Sequence, residues 1–269
     1  MVSTELVLGT MGQLHKVLQS SSMHASLYRS IRQSDFRAVE LANHLLLYHF
    51  FPLQIRLVIN LKIMSQAVAF VTGGTGHQGG ATTRELLNAG VKVHALVRDP
   101  SSKSAIELQR LGVLLFPGDF DNIPSLKTAV KGATAVFLNV SPVISDTERE
   151  VIHAKNIIDS AVASGTVTSI VYSSVTMTGK HERFPNWGPD YPLAWYWLNK
   201  AKIESMVRGS GVKCWTILRP AMLMNNYHQP TASFMFRDLV QRRVFLTAYK
   251  PDTAMTLVDP NDVGRFAAV

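Results

Sequence analysis

The stretch Ala67–Gly80, AVAFVTGGTGHQGG, decides the fold of this chain of 269 residues. An apolar run, Val68–Val71, leads directly into a glycine-rich turn, and a segment compatible with a helix follows. A strand, a glycine turn and a helix in this order form the unit that binds the pyrophosphate of a dinucleotide. Such a helix begins with unpaired N–H groups and a partial positive charge, and both favour a phosphate. The sequence therefore predicts a dinucleotide site at residues 73–79.

Three glycines in this turn form the pattern GxxGxxG, and each has a separate task. Gly73 permits a positive φ in the tight turn that leaves the strand. Gly76 leaves room for the phosphates, and Gly79 lets the helix pack close to the sheet. Thr75 and Gln78, in the same loop, are further predicted cofactor contacts. A glycine-rich turn without a ligand is the alternative.

The next predicted strand, Val91–Val97, ends in Arg98, Asp99 and Pro100. An acidic residue at this place binds the ribose 2′-hydroxyl of NAD, whereas a basic one accommodates the 2′-phosphate of NADP. Arg98 favours NADP(H). Asp99 is able to bind a ribose diol and keeps NAD(H) as the alternative, and an ordinary solvated arginine is a second alternative.

From Val68 onward, short apolar strands alternate with helices. This pattern predicts an α/β protein with a doubly wound parallel sheet, the Rossmann fold, covered by helices on both faces. The predicted strands are 68–71, 91–97, 113–116, 135–138, 169–173 and 214–218. The predicted helices are 78–88, 104–111, 123–130, 147–164 and 194–208. Asp119 and Asn139 follow the third and fourth strands, so both are expected at the cofactor-facing edge. Asp119 is a candidate adenine contact, with helix capping as the alternative.

Residues 1–63 differ from the remainder and are predicted to be an N-terminal extension with little stable structure. Their hydrophobic stretch His44–Met64 is interrupted by Pro52, Arg56 and Lys62, which argues against a membrane span. A targeting peptide is the alternative, because this part contains arginines and serines but few acids. The dinucleotide-binding domain is expected to occupy residues 64–269.

Composition limits the partners and the compartment. The net charge of +8 suits an anionic cofactor, and without a block of like charge it predicts neither a nucleic-acid nor a membrane partner. The single cysteine, Cys214, excludes an internal disulfide framework and a cysteine-based metal cluster. No metal site is predicted. The cytoplasm is the expected location, with the nucleus or an organelle as alternatives.

A candidate catalytic group follows the fifth strand. Tyr196 and Lys200 are four residues apart and share one face of the predicted helix, while Ser174 lies at the strand end. The tyrosine is expected to move the proton, the lysine to favour the phenolate and the serine to hold the substrate oxygen. In the alternative, Tyr196 packs in an aromatic wall with Trp195 and Trp197, and Lys200 pairs with Glu204.

The glycine loop GGTGHQGG, the following VRDP and residues 196–227, YWLNKAKIESMVRGSGVKCWTILRPAMLMNNY, resemble the NmrA-like family. These proteins are atypical short-chain dehydrogenases/reductases, and the resemblance runs from about Met64 to Val269. It implies that Lys200 lies by the nicotinamide and that a substrate region begins at about residue 220. It also implies a late strand and helix within Val258–Ala268. The family usually continues beyond residue 269, so this substrate region is expected to be small and incomplete.

Two functions are therefore expected. The first is an NADP(H)-dependent oxidoreductase that acts on a small apolar carbonyl or activated double bond. The second is an NADP(H)-binding redox sensor or transcriptional regulator that reports to a protein partner without catalysis; a fragment without function is a third. The loop Thr176–Pro192 is a predicted lid, and its Phe184, Trp187 and Tyr191 suit an apolar ligand unless they pack on their own scaffold.

Overall fold

The computed structural model describes residues 67–188, 190–247, 250 and 252–269. The predicted N-terminal extension and its hydrophobic stretch lie outside the described residues.

The centre of the fold is a parallel sheet. Its six strands are β1 (Val68–Val71), β2 (Lys92–Val97), β3 (Leu114–Pro117), β4 (Ala135–Leu138), β5 (Ser169–Ser173) and β6 (Cys214–Leu218). Their spatial order is β3-β2-β1-β4-β5-β6, and every neighbouring pair is parallel. The order reverses between β1 and β4, and ligands of such sheets bind beyond the carboxyl ends of the strands at this switch point. The predicted Rossmann fold is confirmed.

Five helices connect these strands: α1 (His77–Asn88), α2 (Lys103–Arg110), α3 (Ile123–Val130), α4 (Arg149–Ala163) and α5 (Ala194–Arg208). Each predicted helix and strand boundary lies within two residues of the observed one. Two of the helix starts are fixed by side-chain caps, since Ser102 accepts a hydrogen bond from Ala105 N–H and Asn122 accepts one from Ser125 N–H.

The two faces of the sheet carry separate apolar layers. Phe70 of β1 packs on one face with residues of α3, α4 and α5, including Leu126, Ile157 and Ile203. Its neighbour Val71 points to the other face, where it packs in a layer that includes residues of α1 and α2. Successive strand residues alternate in this way because the side-chain period of a strand is two. Helices therefore cover both faces, as predicted.

The last part of the chain forms shorter elements. Strands β7 (Met222–Leu223) and β8 (Leu257–Val258) pair in parallel, and the helices are α6 (Thr231–Met235), α7 (Arg237–Arg242) and α8 (Pro260–Ala267). Short 3-10 helices lie at His181–Arg183 and Met224–Tyr227. The late strand and helix implied by the resemblance are β8 and α8. Helix α8 packs so closely on α1 that a Cβ on Gly264 would lie 2.6 Å from the carbonyl carbon of Ala81. In the part of the chain that the structure describes, no helix is both long and apolar enough to cross a bilayer.

We expect Gly79→Ala to lower the free energy of unfolding by roughly 1–3 kcal/mol, the usual cost of forcing atoms into a packed site. The added Cβ would lie 2.2 Å from the carbonyl oxygen of Gly73. Urea unfolding followed by circular dichroism measures the change. Gly188→Ala is the control, because a Cβ there meets nothing within 4 Å. Equal stability of the two variants would contradict the close helix–loop contact.

Candidate functional site

The glycine loop connects β1 to α1 in the conformation that a pyrophosphate site needs. Gly73 adopts a φ of +64°, and its carbonyl accepts the N–H of Gly76 at 2.9 Å. No side chain caps the start of α1, so the first-turn N–H groups leave a place for an anion. Thr75 and Gly76 are exposed, and they line a cleft of about 360 Å³. The exposed glycine and the uncapped start of the helix therefore make the loop suitable for a dinucleotide phosphate.

The switch point between β1 and β4 is tied together by Thr72. Its Oγ1 accepts the N–H of Asn139 at 2.7 Å and lies 3.0 Å from the carbonyl oxygens of Phe137 and Asn139. The side-chain amide of Asn139 lies against Gly73, 3.4 Å from where a Cβ would be. The structure thus brings Asn139 to the glycine loop, as the sequence predicts. Thr72 was not predicted as a site residue, although its position directly after the strand indicated that it lies at the switch point.

Gln78 links the loop to the fifth strand. The Ser173 hydroxyl donates to Gln78 Oε1 at 2.7 Å, so the start of α1 is fixed to the carboxyl end of β5. Ser173, which was not among the predicted site residues, thus contacts the glycine loop.

Ser174 lies in a different, buried network. Its hydroxyl donates to Glu204 Oε1 at 2.8 Å, and Glu204 also accepts hydrogen bonds from Arg219 and Arg208. Burial alone would raise the pKa of Glu204, but the hydrogen bonds from Arg219, Ser174 and Arg208 hold it below its usual value. The structure therefore joins Ser174 to α5 through a carboxylate and not through Tyr196 or Lys200.

Lys200 has a partner that the sequence did not reveal. Its Nζ lies 2.5 Å from Oε1 of Glu150 on α4, and the two side chains are 5% and 0% exposed. The alternative pairing with Glu204 is wrong, because Glu204 is bound to Ser174 and two arginines. Glu150 shares the buried face of α4 with Ala154 and Ile157. A carboxylate on such a face needs a partner, and this was the signal for the pair.

Tyr196 lies beside this ion pair. The centroid of its ring is 5.6 Å from Lys200 Nζ, and the ring of Tyr172 is 5.9 Å from the same atom. Burial, and secondly the Glu150 carboxylate, raise the pKa of Tyr196 to about 12. Burial and the Glu150 carboxylate thus act against the phenolate that Lys200 is expected to favour.

The aromatic packing that the alternative assigned to Tyr196 is also present. Its ring contacts Trp195 and Trp197 edge-on, with centroids 6.3 and 5.3 Å apart. The loop aromatics Phe184, Trp187 and Tyr191 pack on one another and, through Phe184 and Tyr191, on Trp197. These side chains thus pack on their own scaffold, as the alternative for the lid supposed.

At the end of β2 the two charged residues have different surroundings. Oδ1 of Asp99 accepts hydrogen bonds from the N–H and the hydroxyl of Ser101, and these bonds lower the pKa of Asp99. Arg98 is exposed and makes no ion pair with any other described residue. Asp119 is exposed, and its Oδ1 accepts the N–H groups of Asp121 and Asn122, which is the capping role given as its alternative. Of the three, Arg98 is the one whose charged group has no hydrogen bond or ion pair to another described residue.

The doubly wound sheet, its switch point and the uncapped glycine loop define a Rossmann-type dinucleotide-binding fold. Within this class, residues 65–269 match the NmrA-like family, and the chain belongs to this family.

Known proteins of two kinds are similar to the chain. It is 39% identical over 120 residues to the NmrA-like family domain-containing oxidoreductase ptmS of Penicillium ochrochloron, a match that covers 41% of this chain and 36% of that protein. The Escherichia coli NADPH-dependent quinone oxidoreductase QOR2, solved with NADPH, has a TM-score of 0.57 and 25% identity over 75% of this chain and 63% of its own. NmrA, a negative transcriptional regulator solved with NADP, has a TM-score of 0.58 and 26% identity over 74% of this chain and 60% of its own.

We expect Lys200→Met to lower the free energy of unfolding by about 3–5 kcal/mol, because it leaves the buried Glu150 carboxylate without its counter-charge. Lys202→Met is the matched control. Lys202 lies on the same helix and faces Glu148 at 3.7 Å, but both side chains are more than half exposed. Its loss should leave the stability almost unchanged. Urea unfolding of both variants measures the difference, and equal effects would show that burial of the pair does not matter.

Proposed function

We propose that this chain is an NADP(H)-dependent oxidoreductase that reduces a small apolar carbonyl or an activated double bond. The observation that carries this proposal is the position of the Tyr196 ring beside the buried Lys200–Glu150 pair. These residues lie on the helices that flank β5, and the end of β5 is hydrogen-bonded to the glycine loop through Ser173 and Gln78. The oxidoreductase relatives in fungi and Escherichia coli support the same class of activity.

The cofactor sites are assigned by charge and position. The pyrophosphate is assigned to the glycine loop, namely Gly73, Thr75, Gly76, Gln78 and Gly79. The 2′-phosphate is assigned to Arg98, since a free guanidinium at the end of β2 suits a phosphate. Asp119 is assigned to the adenine side, and Asn139 and Lys200 to the nicotinamide side. NADP(H) is preferred over NAD(H) because Oδ1 of Asp99 is already bound within its own turn.

The chemistry follows from the protonation states. NADPH supplies the hydride when it is bound. Tyr196 carries its proton at neutral pH, as an ordinary phenol does. Burial and Glu150 raise its pKa further, to about 12, and its hydroxyl is able to give a proton to the reduced substrate. Lys200 stays beside the phenol as an ammonium held by Glu150. Ser174 contributes through Glu204, which joins the end of β5 to the helix that carries Tyr196 and Lys200.

The second candidate is an NADP(H)-binding sensor that reports to a protein partner without catalysis. One observation favours it: Ser174, the hydroxyl expected to hold a substrate oxygen, is buried and bound to Glu204. The structure of NmrA with NADP gives the same fold in a regulator. This candidate predicts tight cofactor binding without turnover, and an affinity for the partner that differs between NADP and NADPH.

We expect Arg98→Ala to weaken NADPH binding by roughly 10- to 100-fold, the usual cost of a lost charge-assisted hydrogen bond, and to leave NADH binding unchanged. Isothermal titration with both cofactors measures the two affinities. Arg110→Ala, another exposed arginine at the end of α2, is the control. A similar loss for NADPH and NADH would contradict the assignment of Arg98 to the 2′-phosphate.

We expect Tyr196→Phe to lower turnover about 10²- to 10⁴-fold, the usual share of a general acid, while the Kd for NADPH stays the same. The assay follows NADPH oxidation with a panel of small aldehydes, ketones and quinones. Tyr191→Phe removes a hydroxyl from the aromatic loop and is the control. Full turnover by Tyr196→Phe would reject its role as proton donor. If the unaltered chain binds NADPH tightly but reduces no member of the panel, the sensor becomes the better account.

A further inference from the structure

The ion pair between Lys200 and Glu150 is the most deeply buried pair of opposite charges that the structure describes. Both residues are almost fully enclosed, and their charged atoms lie 2.5 Å apart. The rings of Tyr172 and Tyr196 face the ammonium from β5 and from its own helix, at 5.9 and 5.6 Å. The pair therefore lies among two phenols with little water to screen it.

Glu150 reaches Lys200 and the two phenol rings from a separate helix. It lies on α4, 50 positions before Lys200, and only its Oε1 is used by the lysine. Its Oε2 is buried and has no hydrogen-bond partner among the described residues. Burying a carboxylate oxygen without a hydrogen-bond partner costs free energy, and an attractive charge must offset this cost. The ammonium of Lys200 is that charge, so the position of each residue depends on the other.

We propose that Glu150 is a positioning residue of this site: it holds Lys200 by its charge and opposes the ionisation of the Tyr196 hydroxyl. This inference rests on the proposed oxidoreductase function. Without Glu150, the lysine ammonium 5.6 Å from the ring would draw the phenol toward its ionised form. With Glu150 in place, the carboxylate offsets the charge of the ammonium, and the phenol holds its proton more strongly.

The other charges around Tyr196 do not disturb this balance. Tyr172, from β5, is itself a buried phenol whose pKa is raised, chiefly by burial. Glu204, further along α5, is compensated by Arg219 and Arg208. Glu150 and Lys200 are therefore the pair that decides the charge next to the Tyr196 ring.

The test replaces Tyr196 with 3,5-difluorotyrosine, whose phenol ionises near neutral pH, and follows its titration by ¹⁹F NMR. Glu150→Gln is expected to raise the ionisation constant of this phenol by about tenfold or more, since Lys200 then lacks its counter-charge. Glu148→Gln, which removes the exposed carboxylate facing Lys202, is the matched control and should leave the titration unchanged. An unchanged titration in folded Glu150→Gln would overturn the proposal.

A double variant, Glu150→Gln with Lys200→Met, covers the case in which Glu150→Gln does not fold. Replacing both members of a buried pair is generally tolerated better than removing one of them. Comparison of the double variant with Lys200→Met alone isolates the effect of Glu150, because neither variant contains the lysine ammonium. We expect the phenol to ionise at lower pH in the double variant than in Lys200→Met; the same or a higher pH would refute the inference. The ¹⁹F titration needs neither substrate nor turnover. Even if the protein reduces no substrate, the titration therefore shows whether Glu150 affects the ionisation of Tyr196.

Discussion

The contact between Gly79 and Gly73 is the constraint on which the rest of the site depends. A Cβ on Gly79 would lie 2.2 Å from the carbonyl oxygen of Gly73, so the helix approaches the loop only without a side chain there. This approach brings the uncapped start of α1 to the carboxyl edge of the sheet, beside the switch point between β1 and β4. Asn139 and Ser173 then reach the loop from β4 and β5. The absence of a Cβ at Gly79 thus determines where the loop meets the ends of β4 and β5, at a helix start of the kind that favours an anion.

The second constraint is that the buried carboxylates near the loop need positively charged or hydrogen-bonding partners. Two carboxylates, Glu150 and Glu204, are completely enclosed near the end of β5. One is satisfied by Lys200 and the other by Ser174 with two arginines. Removing one member of either group would leave a buried charge exposed to a low dielectric. The bond between Lys200 and Glu150 joins α5 to α4 and places the pair of charges beside the rings of Tyr172 and Tyr196.

The sequence predicted the strands and helices of the sheet because each buried strand is a short apolar run flanked by a helix of clear periodicity. It predicted the partners of side chains less well. The i,i+4 rule pointed from Lys200 to Glu204, whereas the real partner, Glu150, is 50 residues away. The hydrogen bond from Ser173 to Gln78 was likewise not predicted, because it joins residues 95 positions apart. The short helices α6 and α7, of five and six residues, lie below the length that periodicity resolves. Local patterns determine elements, while long-range packing determines which polar groups meet.

We infer that the glycine loop and Arg98 hold NADP(H) within reach of Tyr196 and Lys200. A crystal structure of this chain grown with NADPH tests this inference. We expect density for the pyrophosphate at the start of α1, for the 2′-phosphate beside Arg98 and for the nicotinamide on the side of Lys200. A cofactor bound away from the glycine loop, or a nicotinamide that lies far from Tyr196 while the fold is intact, would contradict it.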